Sequence, residues 1–242
     1  MRYVLLLILS CFSIISYAQN FVISDNDSTI KTEYNDGKLW AYRYMSGCVV
    51  GLTCYDAKDD YGKYYQMQIY ISNQNSQSVT FDPNEITAHL INKKGDTIPL
   101  EVYTNEEFQK KIKRTQNWAM ALYGFSAGLN AGSAGYSTSY STTYSPNGYA
   151  YTTMTTHYNP NAAYQANLVA NAQIATYGKM MADERVTKER GYLKKNTIHP
   201  NEGIIGYMNI KRKKGHILTI NIPIKGNVYS FELDVNKSNK YL

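Results

Sequence analysis

The residue types that carry acid–base or metal chemistry are sparse in this chain, and their spacing assembles no site. The four histidines, His89, His157, His199 and His216, are isolated from one another in sequence. A hydrolytic centre needs a nucleophile held against a base, or two carboxylates facing each other across a cleft. Asp59-Asp60 and Asp183-Glu184 are instead adjacent carboxylates. On a turn or a helix such pairs are solvated charges, and neither has the spacing of a calcium loop. The glycines from Gly124 to Gly135 fall inside a predicted helix rather than between a strand and a helix, so they do not form a phosphate loop. The expectation is a non-enzymatic protein with no metal and no cofactor.

The elements that would position these groups are mostly strands. Phe21 to Ile23, Leu39 to Met45, Val49 to Tyr55 and Lys63 to Asn73 alternate as strands do, with an acidic turn over Asp56 to Gly62. In the clearest of them Tyr65, Met67, Ile69 and Ile71 share one face, while Tyr64, Gln66, Gln68, Tyr70 and Ser72 form a wet one. Ile86 to Asn92 and Thr97 to Tyr103 flank Lys93-Lys94-Gly95-Asp96 as a hairpin. At Thr104 the period changes. Thr104-Asn105-Glu106-Glu107 is a capping box, and Phe108, Ile112, Thr115 and Ala119 follow at helical spacing.

That helix leads into the feature around which the chain is organised. From Thr115 to Gly178 there is no Asp, Glu, Lys or Arg, although charged residues make up 18% of the whole. The helix extends to about Ala134 and carries Gly124, Gly128 and Gly132 at intervals of four, a face suited to close approach by a neighbour. Tyr136 to Tyr158 reads as two β arms joined by Ser145-Pro146-Asn147-Gly148. Asn159 and Pro160 then suit the N-cap and first turn of a second helix through about Arg190, with Ala162, Ala166 and Ala170 as its own small-residue stripe. Strands resume from Tyr192, with Arg212 to Gly215 read as a hairpin turn. Strands on both sides of a two-helix excursion imply one antiparallel β-sandwich, residues 19–104 and 192–242, with an insertion at 105–191 and a polar β tip at 136–158.

Composition and the N-terminus bound the setting. Arg2, the apolar run Val4 to Ile15 and Ser16-Tyr17-Ala18 read as a signal peptide, residues 1–18, with cleavage after Ala18. The expected location is therefore the periplasm or the cell surface. The formal charge is +6, or +5 without the segment that contains Arg2. Export argues against nucleic acid as the target of Lys211, Arg212, Lys213 and Lys214, leaving a solvated turn or an anionic surface such as lipid or polysaccharide. Cys48 and Cys54 would enter a compartment that permits disulfides. Six residues of continuous strand would hold them roughly 20 Å apart, so they pair only if the chain reverses near Gly51; otherwise they are two buried thiols on one strand.

The run Tyr192-Leu193-Lys194-Lys195-Asn196-Thr197-Ile198-His199-Pro200-Asn201-Glu202-Gly203, with Gly206-Tyr207, Leu218 to Ile224 and Tyr229-Ser230-Phe231-Glu232-Leu233, resembles the end of a recurrent group of exported bacterial β-sandwich proteins. Asn201-Glu202-Gly203 stands where that group has glycine directly after proline. The resemblance implies an immunoglobulin-like fold and carries over no catalytic residues.

Three roles remain for the charge-free stretch. The two small-residue stripes can pack on each other within the chain. The glycine face or the tyrosine tip, through Tyr136, Tyr140, Tyr144, Tyr149 and Tyr151, can meet a protein or glycan partner or another copy. A third role is a membrane stem, since each arm matches the ~9 to 11 residues of a spanning strand. Asn161, Gln165, Asn167, Asn171 and Gln173 exclude the second helix as a span. The expectation is an envelope binding and assembly module in peripheral contact with membrane at most, with an oligomeric pore or secretion-channel component as the alternative.

Overall fold

The computed structural model describes residues 21–23, 28–144, 147 and 150–238. The segment read as a signal peptide, Tyr149 and most of the turn at the hairpin tip lie outside them. The chain forms two compact units, Met1–Phe108 with Gly191–Leu242, and Gln109–Arg190. Among the described residues nearly half, 49%, are strand, and the pairing within the sheets is antiparallel.

In the first unit the strands are β1 (Phe21–Ile23), β2 (Ile30–Asn35), β3 (Lys38–Met45), β4 (Cys48–Asp59), β5 (Gly62–Asn73), β6 (Val79–Phe81), β7 (Thr87–Ile91), β8 (Thr97–Leu100) and β9 (Val102–Tyr103). The second unit contributes α1 (Asn105–Ser133, whose first turn belongs to the first unit), β10 (Tyr136–Tyr144), β11 (Ala150–Tyr158) and α2 (Pro160–Arg190). The first unit resumes with β12 (Asn196–Ile198), β13 (Gly203–Lys211), β14 (Ile217–Ile224) and β15 (Asn227–Ser238).

Two sheets result, one of order β1-β15-β14-β7-β8 and one of order β2-β3-β4-β5-β13-β9, with β6 and β12 as a small separate pair. Their apolar faces are buried. Ile69 and Ile71 on β5 and Ile220 and Ile222 on β14 are fully inaccessible, as the period-2 pattern requires. Tyr229 on β15 reaches the opposite sheet and donates to Met45 O at 2.6 Å, so the phenol buried by the core still has its hydrogen bond. The arrangement is consistent with a β-sandwich.

Four local expectations change. The acidic segment does not end a strand, because β4 runs on to Asp59 and the turn is tight: Asp59 Oδ1 accepts from the amides of Tyr61 (2.9 Å) and Gly62 (3.1 Å). Thr97 to Tyr103 is not one strand, since it divides at Glu101 between the two sheets. Arg212 to Gly215 is not a hairpin turn either, because β13 and β14 lie in different sheets and this segment carries the chain between them. The outer face of β5 is half-buried rather than wet, and Tyr64 on it is fully covered. Phe108 packs edge-on against Tyr64 at 5.6 Å and stacks on Tyr192 at 5.2 Å. Tyr192 donates to Tyr103 O at 2.6 Å and accepts from Asn209 N at 3.1 Å, so the aromatic cluster is anchored at its polar edge.

Candidate contact surface

Both helices of the excursion begin on caps that the sequence carries. Thr104 N donates to Glu107 Oε2 at 2.9 Å and Glu107 N donates to Thr104 Oγ1 at 3.3 Å, the reciprocal pair of a capping box at the start of α1. Asn159 Oδ1 accepts from the amides of Asn161 (3.0 Å) and Ala162 (3.2 Å), opening α2 behind Pro160. Between the helices Gly135 forms a tight base. A Cβ there would lie 2.9 Å from Ala163 Cβ and 2.7 Å from the Tyr158 ring, and its carbonyl accepts from Asn159 N at 2.7 Å. Sequence reasoning missed this glycine because it follows Gly132 by three residues and so falls out of the four-residue spacing.

Helix packing inside the unit uses alanines and polar groups. Tyr123 and Tyr177 meet with ring centroids 4.8 Å apart, and Gln116 Nε2 donates to Met181 O at 2.8 Å from a buried position. Ala166 and Ala170 line a groove of about 340 Å³ together with Ala127 and Ala131, and Ala162 is half-buried beside its cap. The glycine stripe does not take part. Among the described residues a Cβ on Gly124, Gly128 or Gly132 would meet nothing within 4 Å, and the expected glycine–alanine packing is corrected. Ala127 and Ala131 lie one residue away from the glycines, about 100° round the helix, and they fill the inner face.

The β tip pairs in strict register, Tyr136 opposite Tyr158, Tyr140 opposite Met154 and Tyr144 opposite Ala150. Directly paired residues share a face. One face therefore carries Tyr136, Tyr140, Tyr144, Met154 and Tyr158, all exposed, with Thr138, Thr142, Thr152 and Thr156 between them. The other carries Ser137, Ser139 and Ser141 opposite His157, Thr155 and Thr153. Tyr151 pairs with Thr143.

A surface that sequence reasoning passed over lies on α1. Trp118, Leu122, Phe125 and Leu129 follow a 4-3-4 spacing and remain 67%, 52%, 67% and 60% exposed. That spacing places them on one stripe of a 3.6-residue helix. The pattern is visible in the sequence, but the glycines at 124, 128 and 132 draw attention to the adjacent face.

The remaining candidate residues separate. Arg212 forks onto Asp56, with Nη2 donating to Oδ2 at 2.9 Å, and its guanidinium lies 5.8 Å from the centroid of the Tyr65 ring. Lys211, itself exposed, pairs with Glu101 at 2.9 Å, and Lys213 and Lys214 are exposed as well. Two of the four cations are thus matched by acids. Cys48 and Cys54 form no disulfide: β4 is continuous through Gly51, which pairs with Tyr42 and Tyr70, so the reversal a bridge requires does not occur. Both thiols are buried on one face of that strand, and burial pushes the Cys54 thiol far above its ordinary range. His199 Nδ1 is 3.0 Å from Ser78 Oγ at an exposed site. Among the described residues no three of His, Cys, Asp and Glu come together as a metal set, and no helix is long and apolar enough to cross a membrane.

No protein-family model, curated protein or solved structure matches this chain.

Proposed function

We propose that this chain is an exported, non-enzymatic module of the cell envelope or cell surface, in which an immunoglobulin-like β-sandwich carries the Gln109–Arg190 excursion as a surface for binding and assembly. The observation that carries this reading is the excess of apolar and aromatic surface on a unit with a long charge-free stretch. Its helices and hairpin leave Trp118, Phe125, Tyr140, Tyr144 and Met154 open, each more than 60% exposed. Exposed patches on that scale mark interaction sites in soluble proteins. Tyr, Ser and Thr offer large contact area and adaptable hydrogen bonding, which suits a protein or glycan partner in the envelope. Native mass and envelope fractionation of the full chain, compared with a variant lacking Thr115 to Gly178, test this. The reading expects the full chain in higher-mass or partner-bound fractions and the variant released. Identical monomeric behaviour of both removes it.

A second reading rests on the register of the tip. Nine-residue strands with a Tyr/Met/Thr face and a Ser/Thr/His face have the length and two-sidedness of a barrel stem, each copy supplying one hairpin of an oligomeric pore. Leakage of a trapped dye from anionic liposomes on adding the protein tests it. Intact liposomes at concentrations where the protein oligomerises dispose of it.

A further inference from the structure

The two helices of the excursion each have an outer face, and the two faces differ in bulk. On α1 the inner residues Gln116, Tyr123, Ala127 and Ala131 define one side. At 100° per residue, Trp118, Leu122, Phe125 and Leu129 are centred roughly 190° round from them, on the opposite side of the helix. On α2 the inner side is set by Ala163, Ala166, Ala170 and Tyr177. Tyr164, Leu168, Asn171 and Ala175 repeat the same 4-3-4 spacing and are centred roughly 130° from it. All four are exposed.

The heights of the two faces also correspond. Gln116 lies opposite Met181 in the antiparallel hairpin. Counting six residues on and six back puts Leu122 level with Ala175, and thirteen each way puts Leu129 level with Leu168. Phe125, nine on, comes level with Ala172, beside Asn171. Trp118, two on, comes level with Lys179, whose ammonium suits the face of an indole. Leu122 and Phe125, at the centre of one outer face, thus stand at the heights of small or slim residues on the other, while Leu129 comes level with a leucine.

We propose that the outer face of α1 in one copy of this chain packs against the outer face of α2 in the next, a head-to-tail contact between side-by-side copies. This rests on the assembly reading above and specifies its partner and its surface. An identical copy is the occupant for two reasons. The stretch from Thr115 to Gly178 contains no ionisable Asp, Glu, Lys or Arg, so copies meet over it with neither like-charge repulsion nor buried charge to desolvate, while a charged partner would find nothing to pair with. Over Leu122 and Phe125, the centre of the bulky stripe, smaller residues stand at matching height on the same unit. At their observed exposures the four α1 side chains offer on the order of 400 Å², about half of the ~800 Å² per partner in a standard interface. A contact of that size is reversible in a pair and is reinforced when both faces of every copy are used. Because the contact joins two different surfaces, it does not saturate at two copies: it closes into a ring or runs on as a filament.

The test uses two double variants of the full chain, L122E/F125E on the α1 face and L168E/A175E on the α2 face. All four positions are exposed, and circular dichroism matching the parent establishes that each variant folds. Sedimentation across concentration is expected to show self-association of the parent and a loss of at least ~100-fold in each variant, the effect of placing charge in the centre of an apolar interface. An equimolar mixture of the two variants is expected to form one-to-one dimers, since one retains the α1 face and the other the α2 face. A monomeric α1 variant beside an α2 variant that assembles like the parent would mean a two-fold contact of α1 with itself and overturns the proposal. So does a mixture that stays monomeric. Variants that both assemble like the parent overturn it while leaving the broader assembly reading standing. A parent that is monomeric at every concentration, whether or not it floats with phosphatidylglycerol vesicles, overturns this proposal and removes self-assembly from that reading.

Discussion

Replacing Gly124, Gly128 and Gly132 together by alanine is expected to stabilise the excursion, the reverse of what a close-packed glycine face would do. A Cβ at each position has no neighbour within 4 Å, so nothing is overpacked. Glycine costs ~1 kcal/mol relative to alanine in a helix interior, mainly through backbone entropy. The triple change should therefore yield ~2 to 3 kcal/mol, with oligomerisation unaltered because the stripe lies off both the inner and the outer faces. Hydrogen exchange reports this directly: amides of α1 that open together with the unit should exchange roughly 30- to 140-fold more slowly, since ~1.4 kcal/mol is a factor of ten. Gly135→Ala is the matched control. Its methyl would sit 2.9 Å from Ala163 Cβ and 3.2 Å from Asn159 O. Overpacking against helix and backbone costs ~1 to 3 kcal/mol, so exchange at the hairpin base should accelerate. Faster exchange or lost assembly in the triple variant would refute the reasoning, because it would mean that another backbone lies against the glycine stripe.

Other consequences are open to measurement. Arg212→Ala should destabilise the first unit by ~1 to 2 kcal/mol in urea unfolding and Arg212→Lys by nearly as much, since an ammonium cannot replace a two-pronged bond to Asp56, whereas Lys213→Ala should stay within ~0.5 kcal/mol. Burial pushes the phenols of Tyr65 and Tyr229 up to about 12. Unfolded tyrosine ionises at ~10, so folding stability that is intact below pH 10 should decline as pH rises toward 12, followed by thermal unfolding with tyrosinate absorbance. Cys48 and Cys54 should resist a thiol reagent in the native protein and both react in denaturant without prior reduction; a requirement for reductant would contradict the unpaired assignment.

The β framework was legible where burial is one-sided. Tyr65, Met67, Ile69 and Ile71 announce a buried face by alternation, and the sheet buries all four. Caps were legible because they are local: Thr104 with Glu107, and Asn159 with Pro160, satisfy amides within a few residues of themselves. Crossings between sheets were not, because the choice of partner strand depends on distant residues. Nothing near Glu101 or Arg212 distinguishes a hairpin turn from a passage to another sheet, and Asp56, which fixes Arg212, is 156 residues away. Alternation alone places Tyr64 on a wet face for the same reason, since its cover comes from the distant Phe108, which stacks in turn on Tyr192. On α1 the sequence held two overlapping stripes, glycine and bulky apolar. Only the position of α2 determines that Ala127 and Ala131 face inward, the bulky stripe outward and the glycines neither way.

The proposed partner of the excursion is a second copy of this chain. Sedimentation of the full chain over a concentration range spanning ~1 to 100 µM, repeated after Phe125→Glu, tests it most directly. The account predicts a parent whose mass rises with concentration and a variant that remains at monomer mass. A parent that stays monomeric throughout, or a variant that assembles as the parent does, would contradict it.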